Sequence, residues 1–484
     1  MSCSKELISS FDQRVDCFVS GSADWLDSVV FYSIPLGESI SVPLILIWLA
    51  IGSVLFSVYF KFINFRFFKH AINVVLGKYD SKKQVGEISS FQALTASLSG
   101  TVGLGNIAGV AIAISVGGPG AVFWMVLMGL FGMCSKFLEV ALGVKYRQEP
   151  KGGEEVFGGP MYYIKPALQK LNLTRLGVFL AGFFALACIG GALGGGNLFQ
   201  ANQAYQQVLM VTGGELSFLA DKGWAFGLFL AFLTGIVTLG GVRVIGNVTG
   251  KLIPFMVCIY VLAGLAVILM NITALPDALV IIIKSAFSIE AGFGAMIGAM
   301  IQGIKRASFS NEAGLGSAAI IYAAAKTTSH IQQGLASMLG PFIDTVVICV
   351  VTALVIVLSG VYQTTDGLSG VAMTSNAFGQ EISFFPYILA LCVFLFAYST
   401  LITWSYYAEK CIAYLFGNKK AFLTIFRIVF LAFVVVGCSL KLDNVVKLSE
   451  ALMFIMAIPN LIAMYILAPE IKKDLNAYIS QLRG

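Results

Sequence analysis

Two stretches decide the fold of this chain: SGTVGLGN at residues 99–106, and SFSNEAGLGS at residues 308–317. Each lies in the middle of an apolar run that is long enough to cross a lipid bilayer. Glycine inside a helix costs about 1 kcal/mol relative to alanine, so such clusters favour a break in the helix. Backbone groups freed within a membrane are costly unless they are buried in protein or bind something. The sequence therefore predicts two broken membrane helices, and such a break usually marks a binding site.

The composition excludes a soluble enzyme. Of 484 residues, 58% are hydrophobic and only 12% are charged, which is too little charge to solvate a soluble fold of this size. The apolar runs are continuous rather than alternating, which excludes a β-barrel. With only 2 histidines, a histidine-ligated metal cluster is not expected, and the net charge of +6 is no sign of a nucleic-acid partner. We predict an all-α polytopic protein whose surroundings are the lipid bilayer.

Eleven apolar runs reach the roughly 20 residues that a membrane helix needs. They are spans 1 to 11, near residues 41–61, 91–115, 120–146, 177–211, 223–242, 250–271, 292–324, 333–360, 384–415, 421–440 and 446–468. The broken runs are spans 2 and 7, which stand five apart. Spans 2–6 and 7–11 thus form two sets of five, and an odd number of spans inverts the second set. Broken helices at matching positions of inverted halves indicate a secondary transporter.

Five regions follow from this count. They are a polar segment (1–40), one extra N-terminal helix (41–61), a first five-helix repeat (91–271), a second, inverted repeat (278–468) and a tail (469–484). With the N-terminus outside, the inner segments carry 21 Lys and Arg and the outer ones 6. Positive charge concentrates on the cytoplasmic side of membrane proteins. We therefore predict an outer N-terminus and a cytoplasmic tail, in the cell membrane.

Each candidate motif also has a plainer interpretation. GLGNIA at 103–108 matches a dinucleotide fingerprint, but it lacks the strand and the acidic residue which that site needs. The glycines at 190–196 favour close helix packing, whereas Gln200 beside them needs a polar partner. Ser399 and Thr400 either ligate a hard cation or bond back to their own helix, and Trp404 one turn later either bounds a site or packs.

Several ionisable residues lie at membrane depth, where they almost always face protein or water. We expect Lys136 and Glu139 to form an internal pair, and Asp344 to be able to pair with Arg306. Glu312 follows the second glycine cluster directly. It either holds the break open or serves a proton or cation route.

Five strings together resemble the alanine or glycine:cation symporter family, the sodium:alanine symporters. They are GTVGLGNIAGVAIAISVGGPGAVFWM (100–125), GPMYYI (159–164), SFSNEAGLGSA (308–318), GPFIDT (340–345) and STLITWSYYAEK (399–410). The resemblance runs from span 2 to span 9. It implies a LeuT-type fold, with a five-plus-five inverted repeat, broken spans 2 and 7 and one extra N-terminal helix.

The resemblance also implies the site. Substrate would be held by Thr101, Gly103, Leu104, Gly105, Gln200, Phe309, Ser310, Asn311 and Trp404, and sodium by Gly100, Val102, Phe396, Ser399 and Thr400. The implied activity is sodium-coupled import of alanine and glycine by alternating access, with no cofactor beyond the coupling ion and no obligate protein partner. Proton coupling through Glu312 is the alternative within transport. A membrane-embedded enzyme is disfavoured because the spans show no catalytic constellation, and a channel or sensor is the third class.

Overall fold

The computed structural model describes residues 11–35, 41–79, 85–149, 155–239, 241–288, 293–364 and 369–483. Helices dominate these residues, and eight of the helices are long and apolar enough to cross a membrane. Two strands, Ser33–Pro35 and Ser41–Pro43, pair antiparallel with Ile34 opposite Val42. The chain is therefore a helical membrane protein, as the composition predicts.

Every predicted run falls on a helix or on a chain of helices. The bounds are Leu44–Tyr59 (span 1), Ser90–Thr101 with Leu104–Gly117 (span 2), Ala121–Lys145 (span 3), Thr174–Leu193, Gly194–Leu198 and Phe199–Val211 (span 4), Gly223–Thr238 (span 5), Gly241–Met270 (span 6), Phe293–Asn311 with Ser317–Ala323 (span 7), His330–Ser337, Leu339–Pro341, Phe342–Cys349 and Val350–Ser359 (span 8), Phe385–Phe416 (span 9), Lys420–Ser439 (span 10), and Leu442–Phe454 with Ala457–Arg483 (span 11). Eleven membrane crossings remain a prediction, since spans 1 and 5 are shorter helices and span 7 is more polar.

Further helices precede span 1 or occupy the connections between spans. They are Phe11–Val30, Ile63–Arg66, Phe68–Val75, Pro160–Gln169, Gly214–Leu216, Leu275–Ala286, Val361–Thr364 and Val371–Glu381. The last helix continues through Pro469 to Arg483, so most of the predicted tail is helical. It docks on the end of span 3, where the Lys145 ammonium lies 2.5 Å from both Glu470 and Asp474.

Both predicted breaks are present. Span 2 is interrupted at Val102 and Gly103, and span 7 between Asn311 and Ser317. In the second break the backbone turns left-handed at Glu312, Gly314 and Gly316 (φ 55°, 87° and 101°). Glycine adopts that conformation without a steric penalty, which explains the glycines of the second stretch.

Two further irregularities were not predicted. Span 4 contains a π-helical turn at Gly194–Leu198, and span 8 contains one at Phe342–Cys349. In span 4 the turn lies against span 9, where a Cβ atom on Gly196 would collide with the Trp404 ring. The glycines of this turn therefore allow the close contact between the two helices.

The two ends of the bundle differ. At the N-terminal face, defined by helix Phe11–Val30, Asp12 accepts a hydrogen bond from the Gly223 N–H at 2.9 Å. Asp16 there accepts from the Lys441 N–H at 2.9 Å and from the Asn444 amide at 2.8 Å. At the opposite face, the segment that enters span 2 pairs with the segment that leaves span 7. Bridges there link Val85 with Thr327 and Ile88 with Ala325.

Candidate functional site

The break in span 2 is held by side-chain amides. The Gly103 N–H donates to Asn106 Oδ1 at 2.9 Å, and the Leu104 N–H donates to Gln200 Oε1 at 3.1 Å. Gln200, which comes from span 4, also donates from Nε2 to the Gly195 carbonyl at 2.9 Å. The break thus presents backbone N–H groups at the start of a helix, where the helix dipole favours negative charge.

The two broken helices meet at this point. A Cβ atom on Gly105 would lie 3.5 Å from both the Phe309 ring and Ser310 Cα. Asn106 Nδ2 donates to Ser310 Oγ at 3.0 Å, and Phe309 packs edge-on against Phe199 of span 4 at 5.3 Å between ring centroids. The structure therefore brings the predicted substrate residues of spans 2, 4 and 7 together in one buried place.

Asp344 of span 8 adjoins the same place. Its Oδ1 accepts from Ser310 Oγ at 2.6 Å and from Thr345 Oγ1 at 2.9 Å. The predicted pairing of Asp344 with Arg306 is wrong, because Arg306 instead forms an ion pair with Glu450 of span 11. An acidic residue more than a hundred positions away can compete for an arginine only once the helices have packed, and sequence spacing does not reveal that packing.

Trp404 of span 9 contacts both span 2 and span 4. Its Nε1 donates to the Gly100 carbonyl at 3.2 Å, and its ring lies against Gly196. The side chain is 1% exposed. Any side chain at position 196 would collide with the Trp404 ring, so the glycine there makes room for it. Closely packed on this side, the ring forms a rigid wall.

The predicted sodium residues lie where span 2 meets span 9. The Ser399 and Thr400 hydroxyls both donate to the Phe396 carbonyl, at 2.9 and 3.0 Å. The single Thr400 hydroxyl proton is shared with the Ser99 carbonyl of span 2, which lies 2.9 Å from Oγ1. Two hydroxyls and two carbonyls therefore cluster at this junction, and oxygen is the ligand that hard cations prefer. Back-bonding and ion ligation are both open to these hydroxyls.

Of the other two predicted sodium residues, Gly100 accepts the Trp404 indole N–H at its carbonyl. Val102 is buried within the break, where its N–H donates to the Leu98 carbonyl at 2.6 Å. Ser99, which sequence reasoning missed, supplies the carbonyl that meets Thr400, and its hydroxyl donates to the Ser399 carbonyl at 2.8 Å. The signal in the sequence that could have identified Ser99 is its hydroxyl, directly before the glycine cluster.

Thr101 and Asn311 complete the predicted set. Thr101 is buried at the end of the first half-helix of span 2. Asn311 ends the first half-helix of span 7, where its Oδ1 accepts from the Ala313 N–H at 3.0 Å and its Nδ2 donates to Thr345 at 3.0 Å. The Asn311 side chain therefore accepts a hydrogen bond from the backbone of the break that follows it in span 7.

Charged side chains close the N-terminal face. Glu450 of span 11 pairs with Arg306 and, at 2.5 Å, with Lys305, both from span 7. A cavity of 460 Å³ lies beside this pair, lined by Asp27, Asp443 and Lys447 among others. Burial raises the pKa of the Asp27 carboxyl from its ordinary value, although Lys305 and Lys447 lower it in part. Water and solutes from this side meet an ion pair before they meet the site.

Main-chain contacts close the opposite face. Arg147, just beyond span 3, donates from Nη2 to the Val85 carbonyl at 2.9 Å and from Nη1 to the Ala325 carbonyl at 2.8 Å. Gly86 faces the Ala325 backbone with φ 144°, so that no side chain fits between the two segments. A cavity of 570 Å³ opens nearby, lined by Glu155 and Lys410 among others. The site is thus shut from both faces.

The chain is similar to known proteins over nearly its whole length. Residues 31–484 match the model of the sodium:alanine symporter family. The chain is 39% identical over 440 residues to the sodium/alanine symporter AgcS of Methanococcus maripaludis, covering 90% of this chain and 94% of that one. It is 35% identical to the probable sodium/glutamine symporter GlnT of Bacillus subtilis, covering 89% and 87%.

The structure resembles that of MhsT in complex with L-phenylalanine. The TM-score is 0.53 at 14% sequence identity, covering 77% of this chain and 88% of MhsT. This likeness confirms the predicted LeuT-type fold. With the family match, it makes the chain a multi-pass membrane transporter rather than an enzyme, one that couples amino-acid transport to a cation. The chain belongs to the sodium:alanine symporter family.

Proposed function

We propose that this protein imports small neutral amino acids, alanine and glycine first, together with sodium across the cell membrane. The oxygen cluster formed by Ser99, Phe396, Ser399 and Thr400 carries the proposal, because it joins a broken helix to a neighbouring span. A sodium ion there would link the two helices and order the substrate site one turn away. The printed name of AgcS, a sodium/alanine symporter, supports the same assignment.

The substrate would lie between the two breaks. Its carboxylate would take the backbone N–H groups around Gly103, Leu104 and Gly105, displacing the Gln200 carbonyl oxygen that now accepts from Leu104. The freed amide of Gln200 would then hydrogen-bond the substrate. Phe309 and Trp404 would limit the side chain to the size of a methyl group, since packed interiors do not deform cheaply.

Transport would proceed by alternating opening of the two closures. The N-terminal face would lie outside and open by separation of Arg306 from Glu450, whereas the opposite face would open by release of residues 85–88 from 324–327. The driving force is adequate: one Na⁺ crossing 100 mV contributes ~2.3 kcal/mol, and a tenfold gradient adds ~1.4 kcal/mol. Together they support an accumulation of roughly 500-fold.

Proton coupling through Glu312 is the second candidate. This carboxyl is buried at the break of span 7 and accepts a hydrogen bond from the Ser317 hydroxyl. Within the described residues, no lysine or arginine lies within ion-pairing distance of it. Intramembrane carboxyls serve as proton relays in pumps and transporters.

Uptake into proteoliposomes separates these candidates. Purified protein would be given labelled alanine with an inward Na⁺, K⁺ or proton gradient in turn. Accumulation driven by Na⁺ alone supports the proposal, and accumulation driven by the pH gradient without Na⁺ replaces it with the second candidate. Counterflow, in which trapped unlabelled alanine drives uptake of labelled alanine, should be observed for a carrier and not for a channel.

A further inference from the structure

We propose that Glu139 of span 3 is a positioning residue for the substrate site, one that holds the break of span 7 in its binding geometry. The inference rests on the proposed substrate site between spans 2 and 7. Glu139 is 0% exposed, and its Oε2 accepts hydrogen bonds from the Gly314 and Gly316 N–H groups, each at 3.1 Å. The sequence alone suggested only an internal pair with Lys136.

The break leaves five backbone N–H groups outside regular helix, and each has an acceptor. Those of residues 312, 313 and 315 donate to Ser308, Asn311 and Glu312, all within span 7. Those of 314 and 316 have Glu139 as their acceptor. An unsatisfied backbone group at this depth would be costly, so the break depends on one side chain from another helix.

An amide from span 11 completes the clamp. Asn460 Nδ2 donates to the Gly314 carbonyl at 2.9 Å and lies 3.5 Å from Glu139 Oε2. Its own Oδ1 accepts from the Tyr163 hydroxyl, which fixes the orientation of the amide. The N–H and the carbonyl of Gly314 are therefore both held, by spans 3 and 11.

Span 3 is built to deliver Glu139 to this place. A Cβ atom on Gly132 would lie 3.1 Å from Ala313 Cβ, and one on Gly143 would lie 2.7 Å from Ala319 Cβ. Glycines on either side of Glu139 thus let span 3 approach both sides of the break. Because the two backbones nearly touch, a side chain as short as glutamate reaches the break directly.

Lys136 provides the counter-charge. Its ammonium lies 4.0 Å from Glu139 Oε1, and neither atom has a hydrogen-bond partner among the described residues. The Lys136 ammonium is therefore a counter-charge for the Glu139 carboxylate, and the contact between them is electrostatic only. An anion binds the two glycine N–H groups more strongly than a neutral amide does.

The function follows from adjacency. The predicted substrate residues Phe309, Ser310 and Asn311 end the half-helix immediately before the break. A shift of the break moves them relative to Gly105, where an added Cβ atom would lie 3.5 Å from both Phe309 and Ser310. Sodium would bind at spans 2 and 9, whereas the hydrogen bonds of Glu139 among the described residues reach spans 7 and 11. Loss of Glu139 should therefore weaken alanine binding much more than sodium binding.

Glu139→Gln tests this in proteoliposomes and in detergent. We expect the KM for alanine at saturating Na⁺ to rise about tenfold or more, the effect of losing a charge-assisted hydrogen bond. Binding of radioactive Na⁺ without alanine should change less than about twofold. The matched control is Glu409→Gln, which also removes a carboxylate from an ion pair, with Arg427 of span 10, and should leave the alanine KM unchanged.

Three results decide the outcome. An unchanged alanine KM in folded Glu139→Gln overturns the inference, and so does a parallel loss of Na⁺ binding, which would indicate a general structural role. If Glu139→Gln does not elute as a folded protein, Asn460→Ala carries the test, with the same expected split between alanine and Na⁺. Failure of the wild-type protein to take up alanine would instead contradict the proposed function itself.

Discussion

The two breaks in this molecule are stabilised by different chemistry. In span 2 the freed N–H groups donate to neutral amides, Asn106 and Gln200, whereas in span 7 two of them donate to the charged Glu139. A neutral amide acceptor can be exchanged for a ligand carboxylate at little cost, while a buried, paired carboxylate cannot. The first break is thus suited to binding and release, and the second to staying in place.

The largest effect is expected from filling the first break. A Cβ atom on Gly103 would lie 2.8 Å from Thr400 Oγ1 and 2.9 Å from Gln200 Oε1, between the proposed ion and substrate sites. Overpacking costs about 1–3 kcal/mol, and here it separates two sites that act together. We expect Gly103→Ala to lower alanine uptake by about 100-fold or more, measured as the initial rate in proteoliposomes.

Gly182→Ala is the control for that change. Gly182 lies in span 4, and a Cβ atom there would meet nothing within 4 Å. Uptake should stay at the wild-type rate. Full activity in Gly103→Ala would mean that the break does not need its close approach to spans 4 and 9.

The second prediction tests whether substrate can replace the Gln200 amide, which accepts from the Leu104 N–H of span 2. Gln200→Ala leaves the Leu104 N–H without its acceptor and removes the proposed contact to substrate. An unsatisfied buried group costs about 1–3 kcal/mol, so we expect the alanine KM to rise roughly 30-fold. Gln200→Glu should be at least as severe, because its fixed charge satisfies Leu104 but repels the substrate carboxylate.

Gln206→Ala is the control for both Gln200 variants, since Gln206 is a more exposed glutamine on the same half-helix. No change in the alanine KM is expected for it. Alanine affinity equal to wild type in Gln200→Glu would contradict carboxylate binding at this break.

The side chains that hold the first break were easier to find in the sequence than the one that holds the second. Asn106 lies within the quoted stretch, and Gln200 was recognised because a buried amide needs a partner. Glu139 stands 175 positions before Gly314, and a lysine at i−3 offered it a local partner that accounted for its charge. A residue with a satisfactory local explanation gives no sign of a second, distant role.

The fold could be predicted because its signals are local. Hydrophobic length predicts each helix, and glycine clusters predict each break, and both act over a few residues. The charge partners that come from other helices could not be predicted, as the pairing of Arg306 with Glu450 illustrates. Ion pairs between helices depend on which faces meet, and that information is absent from one sequence read without its packing.

The third effect concerns the ion site beside the first break. Ser399→Ala with Thr400→Ala removes both hydroxyls that meet the Phe396 carbonyl. The two hydroxyls together contribute about 1–3 kcal/mol, so the Na⁺ concentration for half-maximal uptake should rise about tenfold or more. Ser405→Ala is the control, since its hydroxyl donates to the Ile402 carbonyl of its own helix. An unchanged Na⁺ dependence in the double variant would return both hydroxyls to back-bonding.

The smallest effect concerns the wall of the pocket. Trp404→Phe removes the hydrogen bond from Nε1 to the Gly100 carbonyl and leaves space against Gly196. Size discrimination amounts to about 1–3 kcal/mol per methylene. We therefore expect alanine affinity to fall only about threefold, while valine and leucine begin to compete with it. Competition of labelled alanine uptake by a series from glycine to leucine measures both changes.

Trp48→Phe of span 1, where the ring is 37% exposed, should keep the wild-type ranking of that series. If Trp404→Phe also keeps that ranking and still excludes leucine, the limit on side-chain size comes from Phe309. Phe309 lies on the first half-helix of span 7, directly before the break that the Glu139 carboxylate holds. Size selection would then depend on the break of span 7 rather than on the break of span 2. Substitutions around Glu139 would therefore alter which amino acids enter.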